Sequence, residues 1–138
     1  AAILQRASID HPTVEVSVKC RLGVDSDDSF EFFHSFVDFV ARDSPIGMFV
    51  VHARSAILSG LNTSQNRSIP PLRYDYVYRI CQQFPSLRFI LNGGINSFTA
   101  IEQAFADCPQ LAGVMIGRWP YENDPLAVHE LEKSNLID

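Results

Sequence analysis

The sequence predicts an α/β chain of four consecutive βα units, half of a (β/α)8 TIM barrel, with its strands as five to eight of the eight. Three observations lead there. Short apolar runs alternate with amphipathic stretches along the chain, the pattern of parallel strands covered by helices. Each run closes on a polar residue or a glycine, where the active face of a barrel lies. A loop of about twenty residues, Arg54 to Arg73, follows the second run. Four βα units alone fit a doubly wound sheet equally well. Long loops inside compact domains are usually functional, and in barrels the functional loops follow the strands. The loop therefore favours the barrel.

The elements follow in order. Ala1 to Ser8 reads as the end of a helix. Thr13 to Cys20 is an alternating Val run and the first strand. Val14, Val16, Val18 and Cys20 share one face, suited to packing under helices. Ser17, Lys19 and Arg21 share the other. Asp28 followed by Glu31 resembles a capping box opening a helix through Arg42. Phe30, Phe33, Val37 and Val40 form its apolar stripe. Met48 to Ala53 is the second strand. Asp75 is the expected cap of a helix through Phe84, and Leu87 to Asn92 is the third strand. Asn96 or Ser97 caps a helix through Asp107, and Ala112 to Gly117 is the fourth strand. Asp124-Pro125 starts the last helix, since Pro suits the first helical turn. Pro12, Pro45, Pro85 and Pro109 punctuate the linkers before strands.

Composition narrows the class. The 138 residues are 46% hydrophobic and 20% charged, values of a globular chain able to bury a core. No apolar run approaches the roughly 20 residues of a membrane span, and no signal peptide is visible. The chain begins without Met and reads as a cut piece. Cys20, Cys81 and Cys108 are odd in number and form no CxxC pair, so neither a disulfide scaffold nor a metal site is expected. Buried thiols in a reducing compartment are the plain reading. A net charge of −5 speaks against a general nucleic-acid binder and leaves room for a local Arg cluster.

The candidate chemistry gathers at the strand ends. Lys19 points into the barrel near its mouth, His52 ends the second strand, Asn92 the third and Gly117 the fourth, with Arg118 next. Each has an ordinary reading by itself. A strand-end Lys snorkels, a strand His is hydrogen-bonded structure, and Asn92-Gly93-Gly94 is a common turn sequence. Their joint placement carries the functional reading. Glycines let backbone N–H groups approach an anion closely, and barrels often hold phosphate at the loops after strands seven and eight. Gly93, Gly94, Gly117 and Arg118 fall there, and Arg118 adds a planar donor fork. A phosphorylated ligand at one edge of the pocket is expected, with Lys19 and His52 toward its far end.

Val18-Lys19-Cys20-Arg21-Leu22-Gly23-Val24-Asp25 resembles the strand-five motif of tRNA-dihydrouridine synthases. His52-Ala53-Arg54 with Leu58-Ser59-Gly60-Leu61 resembles their strand-six motif. Asn66-Arg67-Ser68-Ile69-Pro70-Pro71-Leu72 resembles the following loop and is the most specific piece. Asn92-Gly93-Gly94-Ile95 and Gly113 to Arg118 complete the set. The likeness runs from about residue 13 to 125 and is nearest the branch acting on D-loop uridines 20 and 20a.

The resemblance implies FMN at the barrel mouth, NADPH as reductant, and reduction of a tRNA uridine to 5,6-dihydrouridine. It implies that Lys19 and His52 contact the flavin ring or ribityl chain. Asn92, Gly93 and Gly94 then hold the ribityl–phosphate end, and Gly117 with Arg118 the phosphate. Arg67 and Ser64 match positions that meet tRNA, Ser64 standing where Lys is frequent, and Arg54 adds to that basic edge. The family's general acid is a cysteine of the N-terminal half, so no catalytic residue is expected in this chain; Cys20 faces the helices. Residues 1–138 thus read as one partial domain, the C-terminal half of an FMN-binding barrel. The N-terminal half-barrel, a partner this half needs, and the C-terminal helical domain lie outside it. The compartment implied is the cytoplasm or an organelle, and the chain alone is expected to be inactive. A dihydroorotate dehydrogenase-like FMN barrel and a non-catalytic RNA- or phosphate-binding half-barrel are the alternatives.

Overall fold

The computed structural model describes residues 6, 9–10, 15–42 and 44–122. Its centre is a four-stranded parallel sheet in the order β1-β2-β3-β4, formed by β1 (Ser17–Arg21), β2 (Met48–His52), β3 (Arg88–Asn92) and β4 (Gly113–Met115). Each strand lies beside the next in sequence, without the reversal of order that marks a doubly wound sheet. A continuous one-way order is what half of a (β/α)8 barrel requires.

Register sorts the side chains into two faces. Val18, Phe49 and Phe89 stand level, and so do Cys20, Val51, Leu91 and Val114. These belong to the main core, and Phe49, Val51, Phe89 and Leu91 are fully buried. On the opposite face, Lys19, Val50, Ile90 and Gly113 form one tier. Arg21, His52, Asn92 and Met115 form the next, toward the carboxyl ends. The Val face thus packs under helices as expected. Thr13 and Val14, the expected start of this strand, lie outside the described residues, as do the Asp124-Pro125 helix start and most of 1–8.

Helix α1 (Phe30–Arg42) buries Phe30, Phe33, Val37 and Val40, the stripe read from the 3.6-residue period. Phe and Val are indifferent helix formers, so burial of that stripe, worth roughly 1.5–3 kcal/mol per large side chain, holds it in place. Its cap differs from expectation. Ser29 Oγ, not Asp28, accepts from the Phe32 N–H at 3.1 Å. Helix α2 (Tyr74–Gln83) buries Tyr76, Val77, Ile80 and Cys81. Asp75 does not cap it either. Arg73 holds the cap position without a side-chain bond, and Asp75 sits within the first turn. There its carboxylate meets the positive end of the helix dipole and the Arg73 guanidinium at 3.6 Å. Helix α3 (Phe98–Asp107) is capped by Ser97, whose hydroxyl accepts from the Ala100 N–H at 3.1 Å. A short helix, α4 (Trp119–Glu122), follows β4. The fourth strand stops at Met115, so Gly117 lies two residues beyond the strand rather than at its last position.

Candidate functional site

The carboxyl ends of the strands open into two adjoining hollows of about 390 and 490 Å³ that share His52, Asn92 and Arg67. Gly93, Gly94, Gly117 and Arg118 line the first, toward β4. Lys19 and Arg21 line the second, toward β1. Seven residues singled out in the sequence, Lys19, His52, Asn92, Gly93, Gly94, Gly117 and Arg118, therefore meet around one opening.

Asn92 is the hub. Its Oδ1 accepts from Lys19 Nζ at 3.0 Å, and its Nδ2 donates to the Met115 carbonyl at 2.8 Å. One amide thus ties the inner face of β1 to the end of β4. Lys19 starts one tier below Asn92 and reaches up the sheet to it, so its ammonium arrives at the rim although β1 runs on to Arg21. Partial burial, its largest influence, pulls the Lys19 pKa down.

His52 is held neutral. Burial, and then the charges of Arg21, Lys19, Arg54 and Arg118, push its pKa down from 6.5 to about 4. Its ring lies against the Gly93 backbone. A Cβ on Gly93 would come within 2.8 Å of His52 Cδ2 and 2.9 Å of Nε2, and Gly93 has φ +104°. Gly94, at φ +73°, is hemmed by Leu72 and Tyr74, whose hydroxyl donates to the Gly93 carbonyl at 2.5 Å. Both glycines are thus required by the fold as it stands. Gly117 is different. A Cβ there meets nothing within 4 Å, and its φ is outside the left-handed region.

The Arg54–Arg73 loop is closed on itself. The Arg73 N–H donates to the Ala53 carbonyl at 2.8 Å, and the Asn66 side chain pairs with Ile57 in both directions, each bond 2.7 Å. A 3-10 turn, Gln65–Arg67, carries Arg67 to the hollow. Sequence reasoning assigned Arg67 to RNA alone; the structure also sets it beside His52 and Asn92. Ser64 is exposed at the start of the same turn and lines neither hollow. Arg54 is turned inward, donating to the Pro70 carbonyl, and does not line the hollows. Arg21 was not among the expected site residues. Its signal was its place on the Lys19 face two positions on, which puts it level with His52 and Asn92.

The hollows are cationic. Lys19, Arg21, Arg67 and Arg118 line them, Arg54 acts on His52 from behind, and no carboxylate lines either. In a chain of net charge −5, this local reversal of sign favours an anion. Among the described residues, His52 Nδ1 and Arg54 Nε are the buried side-chain nitrogens without a hydrogen-bond partner, and such groups are normally satisfied. A phosphorylated cofactor fits this donor set. The free space at Gly117, the Arg118 fork and the unsatisfied His52 nitrogen are what it would use, and the volume suits a cofactor. Cys20 borders the second hollow, but it packs against the main core on the helix side, and burial pushes its thiol up to about 12. Among the described residues, no group of His, Cys, Asp and Glu could hold a metal ion, and no helix is long and apolar enough to cross a membrane.

Half of a (β/α)8 barrel with a cationic, glycine-flanked hollow at the carboxyl ends of its strands is the class of protein that the fold and site define. The chain belongs to the dihydrouridine synthase (Dus) family, whose sequence model it matches over residues 4–136. It is 48% identical over 120 residues to a tRNA-dihydrouridine(20/20a) synthase of Xylella fastidiosa, covering 87% of this chain and 34% of that one. It is 49% identical over 117 residues to one of Xanthomonas campestris, covering 85% and 33%. To one of Escherichia coli K12 it is 43% identical over 118 residues, covering 86% and 33%. The chain spans about a third of the length of the curated relatives it matches.

Proposed function

We propose that this chain is the FMN-holding part of a tRNA-dihydrouridine synthase acting on D-loop uridines 20 and 20a. The observation that carries the reading is the meeting of Lys19 and Arg118, one in each of two adjoining hollows that share His52 and Asn92, at the ends of adjacent parallel strands. Gly117 and Arg118 would hold the FMN phosphate, with Asn92, Gly93 and Gly94 along the ribityl chain, and Lys19 and His52 at the ring. When bound, FMN reduced by NADPH supplies the hydride that saturates the uracil C5=C6 bond.

The chain's own residues supply binding and electrostatics. Lys19, steadied by Asn92, offers a fixed positive charge where negative charge collects on reduction. His52, held neutral by burial and then by its cationic surroundings, donates or accepts a hydrogen bond without adding a further charge. Arg67, with exposed Ser64 on the same turn and Arg54 behind the loop, gives RNA phosphates a local basic edge in an acidic chain. The target uridine must be extruded to reach the hollow. The general acid is assigned to a cysteine of the N-terminal half-barrel, consistent with the inert setting of Cys20.

The test is made on the full-length protein. Purified protein should show the visible absorbance of oxidised flavin and form dihydrouridine in tRNA with NADPH. Lys19→Ala should slow turnover more than it lowers FMN content. Arg118→Ala should lower FMN affinity by roughly ten- to a hundredfold, the worth of a charge-assisted hydrogen bond. Wild-type FMN content and turnover in both variants would overturn the reading. Binding of tRNA without any flavin would instead favour a non-catalytic RNA-binding half-barrel.

A further inference from the structure

Arg21 ends β1 level with His52 and Asn92 and lines the second hollow. Yet one nitrogen of its guanidinium serves the neighbouring loop. Nη1 donates to the Ser55 carbonyl at 2.9 Å and to the Asn66 carbonyl at 2.9 Å. A guanidinium Nη carries two N–H donors, so this nitrogen is fully used. The two carbonyls lie on the outgoing and returning limbs of the Arg54–Arg73 loop. A single group therefore fastens both limbs to the end of β1. The Asn66 side chain fastens the same limbs to each other through Ile57. The residue after this knot is Arg67, which lines both hollows.

Charge adds to what the fastening must oppose. Arg21 and Arg67 are near enough to repel, since Arg67 is one of the charges acting on the Arg21 guanidinium. A loop of this length, free to choose, would relax by carrying Arg67 away from Lys19 and Arg21. Hydrogen bonds to a charged donor are worth more than neutral ones, and two from Arg21 oppose that relaxation.

We infer that Arg21 is a positioning residue. It pins the β2–α2 loop so that Arg67 stays over the opening, and through Arg67 it governs engagement of the RNA substrate. The consequence for RNA rests on the function proposed above. The anchoring itself does not.

The experiment uses full-length protein carrying Arg21→Met, Arg21→Lys, Asn66→Ala, or Arg21→Met with Asn66→Ala. Hydrogen exchange over residues 54–73, FMN content, and KM and kcat for tRNA are measured for each. Arg21→Met should speed exchange in the loop and raise KM for tRNA by roughly ten- to a hundredfold, with FMN content falling far less than KM rises and kcat changed far less than KM. Arg21→Lys keeps the charge and should recover part of both effects. Asn66→Ala should reproduce them, and the double variant should be less than additive, because the two side chains secure one loop. Unchanged loop exchange in Arg21→Met overturns the anchor. Faster exchange with an unchanged KM, or loss of FMN in step with KM, overturns the positioning role. Should the wild-type protein make no dihydrouridine, the functional reading falls while the exchange data still decide the anchor.

Discussion

Three glycines of the site look alike in sequence and do different work. Gly93 combines φ +104° with the His52 ring at van der Waals limit, whereas Gly117 has an ordinary φ and open space around its Cα. Gly93→Ala should therefore destabilise the protein by about 1–3 kcal/mol from backbone strain alone, read as a fall in Tm. Gly117→Ala should leave Tm nearly unchanged, within about 0.5 kcal/mol, and weaken FMN binding. A Tm loss at Gly117 with normal FMN affinity would refute the assignment of that space to a ligand. His52 yields a pH prediction. Its folded pKa of about 4 lies below the 6.5 of the free group, so below pH 6.5 the unfolded chain binds the extra proton first. The stability tied to neutral His52 is complete above 6.5 and is lost as pH falls toward about 4. Ring resonances of His52 should stay at their neutral positions between about pH 5 and 8, and urea midpoints should fall with acidification less steeply in His52→Gln than in wild type.

At the level of elements, the helix stripes were legible, and the carboxyl ends of the first three strands to within one residue, because period and burial coincide: Phe30, Phe33, Val37 and Val40 are both periodic and buried. Caps were harder. Asp28-Ser29 offers two good capping residues in succession, and only backbone direction selects Ser29. Ser29→Ala should cost about 1 kcal/mol, the usual worth of a cap, while Asp28→Ala should be nearly neutral in urea melts; the reverse ranking would restore the capping box. Asp75 misled for a related reason. An acidic residue just before an apolar stripe serves a cap or a first turn equally well, and Arg73 had already begun the helix by donating its N–H to Ala53. β4 is shorter than its apolar run because only Gly113, Val114 and Met115 have ladder partners on β3.

Across the whole molecule, charge and edges matter most. Lys19, Arg21, Arg67 and Arg118 converge on one end of a sheet in a chain with five more negative than positive groups, and no local stretch of sequence announces that. Among the described residues β1 and β4 are the outer strands of the sheet, and Phe32, Phe36 and Phe39 form an exposed apolar line on α1. Unpaired parallel edges and apolar stripes invite association. The 138-residue chain by itself should therefore show concentration-dependent size in sedimentation and no turnover of tRNA with NADPH and FMN. A monodisperse, active preparation of it would overturn this expectation.

The residues alone determined the βα rhythm, the helix-facing strand face and the candidates at the strand ends, because hydrophobic period and strand polarity are local properties of the chain. They could not assign Arg21 to the loop, seat Arg67 beside His52, or separate the structural glycines from the open one. Those outcomes depend on which backbone carbonyl, ring or cation a folded neighbour brings within about 3 Å, and such neighbours come from distant parts of the chain.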